Sequence, residues 1–232
     1  MYKLTALQML MDPPEKAQLT SCLELDIFND KKLIIDVKFY SYDKLFIVTF
    51  DSEQHQKLNK LFFQAGREEH TPSQANAFVH KIACDFISAV LGELFEQLME
   101  SREMLSPDFQ TAFIGVGVPA CLAVMVAASS PPHNLVTFGM PGFSSERPFK
   151  EIMDKALDRK RRHGSPAELP INSSYYVSPF TDGTYKAFSD YFRPHLKVVD
   201  AKEPSLLTKL FTGLTSFKRK GINLKAYANP TL

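Results

Sequence analysis

Chemistry on a polypeptide needs a nucleophile, a proton acceptor or a cluster of metal ligands. The stretch best shaped to present a nucleophile is Ala112–Ser129, AFIGVGVPACLAVMVAAS. Ala112, Phe113 and Ile114 form an apolar run of strand length, Gly115 and Gly117 permit a tight turn, and Pro119 opens a second, Ala-rich apolar run. Proline suits the first helical position because the N–H it lacks has no partner there. This spacing predicts a strand, a sharp corner and a buried helix, the arrangement that lifts a nucleophile out of a sheet.

Other chemistries find less support in the spacing. The paired serines Ser129-Ser130, Ser144-Ser145 and Ser173-Ser174 have only His133, near Ser129, close to them in sequence. The six histidines are scattered, with neither an HExxH pattern nor carboxylates at ligand spacing, so no metal is expected. Gly115-Val116-Gly117 follows a strand and precedes a helix as a dinucleotide turn does, but the third glycine of that pattern falls on Ala120, and no cofactor is expected. Cys22, Cys84 and Cys121 lack CxxC spacing and read as buried free thiols in a reducing compartment.

The elements that must position the corner follow from periodicity. Residues 1–20 carry Leu4, Leu7, Leu10 and Met11 before Pro13-Pro14 and predict a short docking helix or an N-terminal arm. Strands are predicted over Cys22–Phe28, Leu33–Tyr42 and Lys44–Asp51, the last with a continuous LFIVTF run suited to an interior position. Glu53–Ala65 has helical spacing. Arg67–His70 reads as a charged loop, and Thr71-Pro72-Ser73-Gln74 as a capping box that opens a long helix to about Ser101. Further strands are expected at Leu135–Gly139, Ser173–Ser178 and Leu196–Asp200, with a helix over Pro148–His163. That helix ends in Arg159, Lys160, Arg161, Arg162 and His163. These cations complement a helix C-terminus or form a contact patch for an acidic protein surface, RNA or acidic lipid.

The 232 residues, 44% hydrophobic and 23% charged, suit one globular domain over 21–232 behind the N-terminal segment. A formal net charge of +1 gives no global field for nucleic acid or a membrane surface. There is no basic-then-apolar leader pattern and no apolar run of membrane-spanning length, which predicts an intracellular, cytoplasmic protein.

Residue by residue, Gly115–Ala123 together with Asn134–Phe143, NLVTFGMPGF, resembles the class 3 (fungal-type) lipase family. In that family a strand runs into G-H-S-L-G-G-A-L-A and the next strand ends in T-F-G-x-P. Val48-Thr49-Phe50-Asp51-Ser52 is similar to the V-x-F-R-G-T strand end, Phe78-Val79-His80-Lys81-Ile82 to V-H-x-G-F, and Leu196–Leu207 to the segment bearing the catalytic acid, which falls on Glu203 with Asp200 close by. The resemblance implies an α/β hydrolase-like three-layer domain with a mixed central sheet and helices on both faces. It also places the catalytic serine on Gly117. The Arg-Gly-Thr that helps form the oxyanion hole is missing, and the last histidine, His195, precedes the acid. The expected function is that of a catalytically inactive lipase-like protein, a structural or interaction module with a protein partner or self-assembly. An ester hydrolase with relocated catalytic residues and a non-catalytic acyl-chain binder are the alternatives.

Overall fold

The computed structural model describes residues 3–26, 33–64, 67–69, 78–106, 108–146, 149–154, 172–177, 196–198 and 224–227. Strand β1 (Gln18–Asp26) pairs antiparallel with β2 (Ile34–Tyr42), and β2 with β3 (Leu45–Asp51). From β3 onward the pairing is parallel, through β6 (Gln110–Val116), β7 (Asn134–Phe138), β8 (Asn172–Val177) and β9 (Leu196–Val198). The result is a mixed seven-stranded sheet in the order β1-β2-β3-β6-β7-β8-β9. The β2–β3 hairpin turns on Asp43 and Lys44 at φ of 45° and 59°, the left-handed pair that a tight two-residue hairpin requires.

Alternation along the strands divides the core into two. Val48, Phe50, Phe113, Leu135 and Tyr175 face one layer, with Leu58 and Phe62 of α2 (His55–Gln64), Leu94 and Leu98 of α3 (Lys81–Glu103), and α4 (Pro119–Ser129). Ile47, Ala112, Ile114, Val136, Phe138 and Tyr176 face the other, covered by Ala6, Leu7 and Met9 of α1 (Lys3–Met11) and by Tyr227. Strands apolar on both sides must be covered on both sides. This is the three-layer α/β hydrolase-like fold that the sequence implied. Among the described residues no helix is long and apolar enough to cross a membrane.

Three expectations need correcting. Phe78–His80 is a strand, β5, antiparallel to β4 (Arg67–Glu69), where a helix and a charged loop were expected. The long helix starts at Lys81 instead. The reason is tertiary: the His80 N–H donates to the Phe143 carbonyl at 2.6 Å, and its ring lies 3.7 Å from that of Phe62, contacts that hold the chain extended. Cys22 is exposed rather than buried, because it alternates with Leu23 and Leu25 and shares the outward face of Glu24 and Asp26. Cys84 is half-buried rather than fully buried, and Tyr227 is fully buried, edge-on to Phe138 at 5.3 Å. The capping box at 71–74 lies outside the described residues.

Candidate functional site

Strand β6 ends at Val116, and the chain turns through Gly117 at φ 60° into α4. The Gly117 N–H donates to the Phe138 carbonyl at 2.9 Å, and the Gly117 carbonyl accepts from Ala120 at 3.1 Å. Val118 enters the helix with no side-chain cap, and Pro119 occupies the first turn. A Cβ on Gly115 would stand 2.5 Å from Ala120 Cα, so glycine there is what lets α4 lie directly against β6. One strand over, β7 ends the same way: Gly139 has φ 60°, and its N–H donates to the Tyr176 carbonyl at 2.8 Å. Both corners use the left-handed region that glycine enters without strain.

A hydrolase corner needs a nucleophile, a base and oxyanion donors. Gly117 offers no nucleophile. The neighbouring strand end would supply a donor at Ser52, two residues beyond Phe50, whose partner across the sheet is Gly115. That N–H already donates to Asp51 Oδ1 at 2.8 Å. The Ser52 hydroxyl donates to the Ile34 carbonyl at 2.6 Å and accepts from the Gln54 N–H at 3.0 Å. Cys121 on α4 is buried with its Sγ 3.8 Å from the Pro141 carbonyl, and burial pushes its thiol well above the usual range.

His80 and His133 do other work. His80 is buried against Phe62, and desolvation pushes its pKa down to about 4, with a hydrogen bond to the Phe62 backbone opposing the shift. His133 accepts the Thr111 N–H on Nδ1 at 3.0 Å and gives its own N–H to the Thr111 carbonyl at 2.8 Å, which fixes it at the opposite end of β6. The Ser129–His133 stretch is therefore far from the corner. The pair that sequence reasoning missed is Asp51 and His55, with Nε2 and Oδ1 2.8 Å apart at the end of β3. His55 is 12% exposed, and its Nδ1 is buried with no partner among the described residues. The signal was an i,i+4 spacing, meaningful only once the chain is known to turn from strand into helix there.

Glu203, Asp200 and the basic run Arg159, Lys160, Arg161, Arg162 lie outside the described residues. Among the described residues no group of three His, Cys, Asp or Glu side chains could hold a metal.

A mixed sheet layered between helices, with a glycine-cornered strand–turn–helix at the C-terminal end of β6, defines an α/β hydrolase-like fold. Solved structures that it is similar to include lipases. A fungal lipase–inhibitor complex, described as a model for interfacial activation, aligns with TM-score 0.54 at 15% identity over 82% of this chain and 73% of that one. A triacylglycerol lipase whose catalytic centre is a serine protease triad aligns with TM-score 0.53 at 14% identity, over 76% and 69%. The chain spans about half, 48%, of the Rhizomucor miehei lipase in its propeptide complex. Likeness at these identities carries the fold and not the activity. No protein-family model and no curated protein matches the sequence.

Proposed function

We propose that this chain is a catalytically inactive lipase-like protein that works as a structural or protein-interaction module. One observation carries the reading: the corner that lifts a nucleophile in this fold is kept in shape and holds Gly117 at φ 60°, with no atom to attack a carbonyl. The occupied N–H of Ser52 supports it, because a donor already bound to Asp51 is not free to meet an oxyanion. The reading includes an intracellular setting and a protein partner or self-association, with Arg159, Lys160, Arg161 and Arg162 as the contact for an acidic surface. Hydrolysis of p-nitrophenyl butyrate and labelling by a fluorophosphonate test it. Neither is expected above buffer, and turnover that the fluorophosphonate abolishes would overturn it.

A second reading, an ester hydrolase with relocated residues, is favoured by the Asp51–His55 pair. A carboxylate holding one imidazole nitrogen, with the other unengaged, is the orienting half of a base. Ester turnover that disappears in His55→Gln would move the assignment to this reading.

A further inference from the structure

We propose that the cleft at the N-terminal edge of the parallel strands binds a small monocarboxylic acid with an aromatic or branched apolar body. The cleft is the reverse of the corner: Phe46 and Thr111, the second residues of β3 and β6, line it together with the end of α3 and the α4–β7 connection. Its volume is about 580 Å³, within the range of cavities that enclose small organic ligands.

The lining sets the class of ligand. Phe95, Leu105 and Phe109 pack against the main core while keeping part of their surface in the cleft, and Met99 beside them is 57% exposed. An apolar body laid on these side chains removes their remaining surface from water, and offset aromatic contact adds to that gain. Arg102 stands in the last turn of α3 and lines the same cleft. Among the described residues its guanidinium makes no ion pair, while the nearby cation Lys44 is taken by Asp108 at 3.3 Å. A planar fork of donors matches a carboxylate. Glu103 also lines the cleft, and its carboxylate weakens the field that Arg102 offers an acid, while the planar fork that can hold both oxygens of a carboxylate comes from Arg102 alone. Ser106, Ser129 and Ser130 also line the cleft.

Isothermal titration calorimetry of the full chain with 4-phenylbutyrate, 4-phenylbutanol and 4-phenylbutylamine tests the assignment. The acid is expected to bind about tenfold tighter than the alcohol, the contribution of one charged hydrogen-bonded contact. The amine should bind weakest, and salt should narrow the gap between acid and alcohol. Arg102→Gln should abolish the acid's advantage and leave the alcohol unchanged. Ser130→Trp, which fills the cleft without touching the core, should abolish binding of all three. The proposal falls if the acid shows no binding up to its solubility, if the amine binds as tightly as the acid, or if folded Ser130→Trp binds as the natural chain does.

Discussion

At its C-terminal end β6 runs into a corner where Val116, Gly117, Val118 and Ala120 are all buried, with Met140 and Phe143 from the next strand's turn. At its N-terminal end, about 20 Å away at the rise of a strand, it starts from a cleft in which Phe95, Met99 and Phe109 still meet water. Parallel α/β sheets ordinarily keep their ligand sites at the first of these ends. Here the described residues of that end pack side chain on side chain, and the Ser52 N–H is taken by Asp51. The two ends differ in what they contribute: contacts at the corner hold α4 on the sheet, whereas apolar surface at the cleft is left for something else to cover. A substitution at the corner should therefore change stability, and one at the cleft should change binding.

The sharpest break of that contrast is Gly115→Ala. The added carbon meets Ala120 backbone at 2.5 Å, with Ala120 Cβ at 2.8 Å, and backbone cannot swing aside as a flexible side chain can. Lifting α4 from β6 is expected to cost about 3 kcal/mol or more, read as a shift in the urea midpoint. Next comes acid. The unfolded imidazole of His80 titrates near 6.5 and the folded one at about 4. Above pH 6.5 both states are neutral. Between 6.5 and 4 the unfolded chain takes a proton that the native state refuses, so stability falls with pH and levels off below 4. At pH 5 the loss is about 2 kcal/mol. The difference between natural and His80→Gln unfolding curves across that window isolates the term, and parallel curves would show that His80 is not the group refusing the proton.

Much of this was legible in the sequence, and the particular residues say why. The LFIVTF run could only be an interior strand, and Gly-x-Gly before Pro119 could only be a corner, because both signals are local: side-chain period in one, backbone freedom in the other. Cys22 was misread as buried although the signal was there: it shares parity with Glu24 and Asp26, and a thiol's usual burial was weighed above strand alternation. Phe78–His80 was not, because three residues carry no period and their conformation is set by Phe143 and Phe62, distant in the chain. The cleft was invisible for a related reason. It is assembled from the starts of β3 and β6, the end of α3 and the link after α4, four stretches with no motif among them.

Gly117→Ser tests whether the corner keeps a latent site. A side chain at φ 60° costs about 1–2 kcal/mol in backbone preference, less than the 2.5 Å approach to backbone that Gly115→Ala forces. The variant is expected to fold, to lose that much in urea unfolding, and to hydrolyse p-nitrophenyl butyrate no faster than the natural chain. A serine ester trapped by fluorophosphonate in this variant would mean that a base and donors still serve the corner, and the contrast between the two ends would lose its chemical half.

The smallest effect is expected at the cleft, and it separates the two ends most cleanly. Met99 is 57% exposed on α3, and glutamine matches methionine closely in length and helix propensity. Met99→Gln removes no core contact, so its unfolding midpoint should stay within about 0.5 kcal/mol of the natural chain. The same change replaces an apolar wall of the cleft with an amide. The surface it no longer offers to a ligand body is a few tens of Å², which at about 25 cal/mol per Å² corresponds to roughly threefold weaker binding of 4-phenylbutyrate. Calorimetry and urea unfolding on one preparation give both quantities. Unchanged stability with weakened binding is the signature of surface held for a ligand. A stability loss of about 1 kcal/mol or more would make Met99 part of the packed core, and the cleft would then be an extension of the same structural layer that closes the corner.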